Sequence, residues 1–284
     1  MANLVREVRA VIPENALEIA QCTDPGVVRS HNEDAIFADS RLGLAILADG
    51  MGGYNAGEVA SGMAITRLAE DLERLIASSS LKDHALGCDV ATVERHIVNE
   101  VGAANFAIFH ASESTPRYAG MGTTLVLAWF YDNRMSVAHI GDSRLYRLRG
   151  DDLQLLTRDH SLLQEQIDSG MISPEQARYS DHKNLVTRAL GVDPMVDVEV
   201  HDFDVVAGDI VLLCSDGLND MVEDEEIALA LRTLRGNLQL AANHLVQMAN
   251  DNGGRDNVSV ILVKVLADFS APRGWWQRLQ QLLK

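Results

Sequence analysis

Between Thr123 and Leu156 the chain reads TTLVLAWFYDNRMSVAHIGDSRLYRLRGDDLQLL, short apolar runs broken by Asp132-Asn133 and Gly150-Asp151. Those dipeptides tolerate the backbone angles of tight turns, and runs joined by turns so short pair only antiparallel. An antiparallel sheet is therefore required in the middle of the chain. β-branched and apolar runs of the same kind recur at 16–22, 42–48, 123–131, 135–140, 145–148, 209–214 and 257–265. Helical periodicity appears over 56–76, where Val59, Met63, Ala64, Leu68, Leu72 and Ile76 form one stripe, and again over 90–111, 223–234 and 238–250. Strands grouped in the middle and at the ends, with helix pairs in two places, predict an α+β sandwich rather than an alternating parallel fold.

A length of 284 residues with 47% hydrophobic content fits one large domain. The net charge of −17 opposes binding to nucleic acid or anionic lipid. Cys22, Cys88 and Cys214 form no CxxC pair and read as buried free thiols in a reducing compartment. The charged start of the chain lacks the apolar stretch of a secretory signal, and no run is long enough to span a membrane, so a cytoplasmic location is expected. Residues 157–190 are polar and irregular, which predicts a surface insertion with short helices. Beyond Ala271-Pro272, Trp275, Trp276, Leu279, Leu282 and Leu283 have the spacing of a short amphipathic helix.

Aspartates stand at the borders of the apolar runs: Asp34 before Ala35-Ile36-Phe37, Asp49 in Leu47-Ala48-Asp49-Gly50, Asp142 after Ile140-Gly141, Asp216 after Cys214-Ser215, and Asp256 before Asn257. One such Asp-Gly step means a tight turn. Several, each closing a buried strand, would converge their charges, and converging carboxylates need cations. An all-oxygen ligand set without Cys or His favours Mn²⁺ or Mg²⁺ over Zn²⁺.

In order and wording these segments resemble the metal-dependent type 2C serine/threonine protein phosphatases in their bacterial form. The blocks are Thr23 to Asp34 (TDPGVVRSHNED), Leu47 to Gly53 (LADGMGG), Gly120 to Thr124 (GMGTT), Ile140 to Arg144 (IGDSR), Ser215 to Leu218 (SDGL) and Gly254 to Asn257 (GRDN). The resemblance implies an antiparallel β-sandwich flanked by helix pairs, in four layers α/β/β/α, with a flap subdomain at about 157–190. The catalytic domain would span 16–267, between an N-terminal extension (1–15) and a C-terminal tail (268–284). It also implies that Asp49, Asp216 and Asp256 hold a metal pair, that the Gly50 carbonyl adds a ligand, and that Asp34 organises metal-bound water. Asp142 would serve a third, weaker site, and Arg29 would clamp the phosphate, for which a guanidinium fork is well shaped.

The implied activity is hydrolysis of phosphoserine and phosphothreonine by metal-activated water, opposing a bacterial serine/threonine kinase, in a protein expected to be a monomer. Two alternatives share the fold: a catalytically silent binding module, and a phosphatase of small phosphoesters. Met51 stands where many eukaryotic members have a histidine, and a thioether has no proton to give a leaving alkoxide. Two donors are open, a water on the third ion at Asp142 or a flap histidine, His182 ahead of His160. The water is the better donor, because a mobile loop holds a proton donor poorly. Both histidines otherwise read as solvated loop residues.

Overall fold

The computed structural model describes residues 12–53, 56–78, 90–173, 176 and 185–270. The meander is present as its turns require. Strands β5 (Leu125–Tyr131) and β6 (Arg134–Ile140) are joined by Asp132 and Asn133, both at positive φ (44° and 56°). That two-residue geometry matches the right-handed twist of the strands it joins. Gly150, at φ 63°, turns β7 (Arg144–Arg149) into β8 (Asp152–Leu155).

The remaining strands are β1 (Leu17–Asp24), β2 (Asp34–Asp39), β3 (Leu44–Met51), β4 (Gly122–Thr123), β9 (Glu199–Asp204), β10 (Ile210–Cys214) and β11 (Val258–Val265). One sheet has the order β1-β11-β10-β7-β8; the other runs β2-β3-β5-β6-β9, with β4 paired to β3. Every strand pairing in them is antiparallel. The helices are α1 (Ala56–Ala77), α2 (Val90–Ser114), α3 (Leu162–Asp168), α4 (Asp216–Asn219), α5 (Asp224–Leu234) and α6 (Leu238–Asp251).

Three apolar clusters set the layers. Leu47, Val126 and Ala128 from one sheet meet Val211, Leu213 and Ile261 from the other, filling the middle of the sandwich. Alternate residues of the same strands, such as Ile46, Leu125 and Leu127, pack outward on α1 and α2 through Leu68, Leu72, Ile97 and Val101. Leu212, Val260 and Leu262 pack likewise on α5 and α6 through Leu231, Ala241 and Leu245. Central strands covered on both faces read as continuous apolar runs, so LVLAWFY is buried at every position. The result is the expected four-layer α/β/β/α sandwich.

Some elements differ from the sequence reading. β9 was not expected: EVHDFD is an edge strand with half its residues charged, and its pairing to β6 makes it a strand. Thr124 divides the expected 123–131 strand, because its backbone turns toward Asp49. Cys214 is buried, whereas Cys22 is only half-buried, so the buried-thiol expectation holds for the first alone. In the 157–190 segment Ser161 caps α3 and bridges to Val186, which closes the base of the insertion. Cys88, His182, the N-terminal eleven residues and the Trp275-Trp276 tail lie outside the described residues.

Candidate metal centre

Antiparallel pairing brings the acidic residues to one end of the sandwich. Asp34 opens β2 directly opposite Asp49 on β3. β10 ends at Cys214, two residues before Asp216, beside the start of β11, two residues after Asp256. Asp142 follows β6, whose last residue, Ile140, pairs with the first of β5. The two sheets are tied at this end by Ser215, whose hydroxyl donates to Asp34 Oδ2 at 2.8 Å.

Small polar side chains hold the frame. The Thr124 Oγ1 accepts the Asp49 amide at 3.0 Å, while the Thr123 hydroxyl and the Thr124 amide both donate to the Asp49 carbonyl at 2.8 Å. Asn257 accepts the Glu33 amide (2.8 Å) and donates to the carbonyls of Pro25 (3.0 Å) and His31 (2.8 Å), fixing both ends of the loop that carries Arg29. Two glycines follow their aspartates because backbones meet there. A Cβ on Gly50 would lie 2.2 Å from the Gly57 carbonyl oxygen, and one on Gly217 would lie 2.0 Å from that of Asn257.

Burial raises Asp49 and Asp216 well above the usual carboxylate range, and the surrounding aspartates push in the same direction: Asp34, Asp216, Asp142 and Asp256 on Asp49, and Asp142, Asp220, Asp256 and Asp34 on Asp216. Asp34 rises to about 6, with burial outweighing the lowering pull of the neighbouring Ser259, Ser215 and Asp49. Asp142 also rises to about 6, from burial and then from Asp159. Asp34 Oδ1 and Asp216 Oδ1 are buried without a hydrogen-bond partner. Crowded acidic groups with unsatisfied oxygens are the donor set of a hard divalent cation, so these residues fit Mn²⁺ or Mg²⁺.

Arg29 reaches the cluster from the rim. Its Nη2 pairs with Asp256 Oδ2 at 2.7 Å, and half of the side chain is exposed. The amides of Val27 and Val28 both donate to the Gly254 carbonyl, which holds the loop in place. Met51 ends β3 opposite Gly122. His160 departs from expectation. It is 6% exposed rather than solvated, because Nδ1 accepts the Gly141 amide (3.1 Å) and Nε2 meets Glu199 Oε1 (3.1 Å). Both ring nitrogens are thus engaged, Nδ1 by the Gly141 amide and Nε2 by Glu199. Thr124, Ser215 and Asn257 frame this site; each lies inside a segment that carries the resemblance (GMGTT, SDGL and GRDN), but the bonds it makes were not readable from that segment.

A sequence model of the protein phosphatase 2C family matches residues 27–258. Serine/threonine protein phosphatase PstP of Mycobacterium tuberculosis is 40% identical over 253 residues, covering 88% of this chain and 45% of that protein. This chain thus spans about half the length of the mycobacterial relative. Serine/threonine phosphatase stp of Listeria innocua is 37% identical over 245 residues, covering 85% of this chain and 93% of that one. Among solved structures, the catalytic domain of PstP in complex with two manganese ions superimposes with a TM-score of 0.76 at 38% identity, over 88% of this chain and 99% of that one. The serine/threonine phosphatase of S. agalactiae gives a TM-score of 0.78 at 33% identity, over 88% and 99%.

Proposed function

The chain belongs to the protein phosphatase 2C family, and from that premise we propose that it hydrolyses phosphoserine and phosphothreonine in proteins at a centre of two Mn²⁺ or Mg²⁺ ions, with a third, weaker site. The carrying observation is the buried acidic cluster with unpartnered Asp34 Oδ1 and Asp216 Oδ1, whose ionised form is disfavoured without cations to offset it. The proposal assigns Asp49, the Gly50 carbonyl, Asp216 and Asp256 to the metal pair and Asp142 to the third ion. The unit that carries this chemistry is residues 16–267.

Bound ions supply a water acidic enough to ionise near neutral pH, and charge to offset that of the phosphate. Asp34 orients the attacking water: Oδ2 is fixed by the Ser215 hydroxyl, and Oδ1 is free to accept the water's hydrogen. Arg29 keeps one nitrogen on Asp256 and has the rest of its guanidinium for the phosphate oxygens. Gly50 and Gly217 let backbone approach closely, so the cleft keeps its shape without side chains in it. Cys214 is fully buried with its pKa pushed up to about 12, so it remains protonated and is no nucleophile.

The partners are phosphorylated proteins and the serine/threonine kinase that produces them, and the working unit is a monomer in the cytoplasm. Two free thiols among the described residues accord with a reducing compartment, and no described helix is long and apolar enough to cross a membrane. A panel of phosphothreonine, phosphoserine and phosphotyrosine peptides with nucleotides and sugar phosphates, assayed with Mn²⁺, tests the substrate class. The first two are expected to be cleaved with the highest kcat/KM. A preference for nucleotides or sugar phosphates would overturn the assignment.

A further inference from the structure

Three groups near the centre have no part in the reaction as proposed: His139 on β6, His160 ahead of α3, and Glu199 on β9. His139 and Glu199 are register partners, and the rings of His139 and His160 stack at 4.8 Å with 20° between their planes. One ligand atom from each lies within 4.8 Å of the others, a spacing compatible with a metal ion. The tautomer of His160 argues for a different role. An amide can only donate, so the Gly141 N–H bond of 3.1 Å places a lone pair on His160 Nδ1 and the proton on Nε2, 3.1 Å from Glu199 Oε1. A neutral imidazole that binds a metal carries its proton on the other nitrogen and donates it. The group is therefore a directed hydrogen-bond chain, from Gly141 through His160 to Glu199.

Each end of the chain holds something useful. His160 grips Gly141 twice, accepting its N–H at Nδ1 and donating its own backbone N–H to the Gly141 carbonyl at 2.9 Å. Gly141 has φ 100°, and a Cβ there would lie 2.7 Å from Thr124 Cγ2, so this turn accepts only glycine, and Asp142 is its next residue. At the far end, Glu199 Oε1 also takes Arg188 Nη1 at 3.1 Å. The Thr187 amide donates to the His160 carbonyl at 2.8 Å and the Leu162 amide to that of Leu185 at 2.9 Å, so both arms of the 157–190 segment close at His160.

We propose that His160 is a positioning residue for the phosphatase reaction: its Nδ1 acceptor sets the Gly141–Asp142 turn and ties it to the base of the 157–190 segment, while Glu199 fixes the tautomer. The inference rests on the assignment of Asp142 to a metal site. Burial holds the imidazole below its ordinary pKa against the opposing pull of Glu199, which keeps it in the neutral form that can accept from an amide. An imidazolium has no lone pair for Gly141.

Two substitutions separate the ends of the ring. In His160→Asn the side-chain oxygen takes the place of Nδ1 and keeps the Gly141 bond, but does not reach Glu199. In His160→Gln the amide takes the place of Nε2, reaches Glu199, and leaves Gly141 without its acceptor. Hydrolysis of an aryl phosphate is measured across an Mn²⁺ titration, with circular dichroism and melting temperature as checks on folding. His160→Asn is expected to keep kcat within about threefold, whereas His160→Gln loses roughly tenfold or more in kcat at little change in KM and needs about tenfold more Mn²⁺ for half-maximal rate. Glu199→Ala, which leaves Gly141 its acceptor but frees the tautomer, shifts the Mn²⁺ requirement in the same direction, and Glu199→Gln restores it. Equal Mn²⁺ titrations for the parent and His160→Gln, or equal losses in His160→Asn and His160→Gln, would overturn the proposal. Failure of the underlying Asp142 assignment shows differently, as an Asp142→Asn variant whose Mn²⁺ titration matches that of the parent.

Discussion

At the scale of single residues, the acidic cluster is a set of like charges placed where water cannot screen them, and its stability depends on what it binds. Asp216→Asn removes one charge without changing shape, so turnover is expected to fall at least about a thousandfold while the metal-free protein melts higher than its parent. Near-parent turnover would show that Asp216 is not at the reacting centre. Arg29→Ala removes a phosphate contact made in both ground and transition states, so KM for a phosphopeptide should rise about tenfold with a smaller loss in kcat. Unchanged steady-state constants would return Arg29 to the role of an Asp256 partner. The aspartates were legible in the sequence because each borders a strand and repeats a pattern. Thr124, Ser215 and Asn257 lay inside the recognised segments, but their framing role was not legible, since their bonds go to backbone and carboxylate groups far away in the chain. His160 was misread for the same reason: its burial comes from β6 and β9, which its neighbours in sequence do not reveal.

At the scale of elements, β3 is the strand on which the site depends. It pairs with β2, β4 and β5, carries Asp49, and leads through Gly50 toward α1. Gly50→Ala would force a Cβ against the Gly57 carbonyl, so we expect a loss of more than about 2 kcal/mol in unfolding free energy together with lost activity. A chemical denaturation midpoint equal to that of the parent would contradict the close packing of β3 on α1. Hairpins and amphipathic helices were readable because turn chemistry and a period of 3.6 or 2 act locally. β9 was not, because an edge strand rich in charge takes its identity from the β6 ladder beside it. In the 157–190 segment, the closing bonds between Ser161–Leu162 and Leu185–Val186 are likewise long-range.

At the scale of the whole molecule, two sheets and two helix pairs bury three apolar layers and leave one end of the sandwich for charge. That division makes metal-free stability depend on pH. Asp34 and Asp142 are raised to about 6 in the fold, above the ordinary carboxylate value near 4, so their protonated forms are the ones the metal-free fold tolerates. The stability they allow is present below about pH 4 and lost as pH rises through about 6. Melting curves in chelator should therefore fall between pH 5 and 7.5, and added Mn²⁺ should recover the loss at the higher pH. A chelated protein that melts no lower at pH 7.5 than at pH 5 would remove the electrostatic argument. The central claim is that oxygen-held divalent ions carry the hydrolysis, and it is tested most directly by the rate of phosphothreonine-peptide cleavage in excess chelator and after Mn²⁺ is returned. The account predicts a rate indistinguishable from background in chelator and full recovery with Mn²⁺ or Mg²⁺; undiminished cleavage in chelator would contradict it.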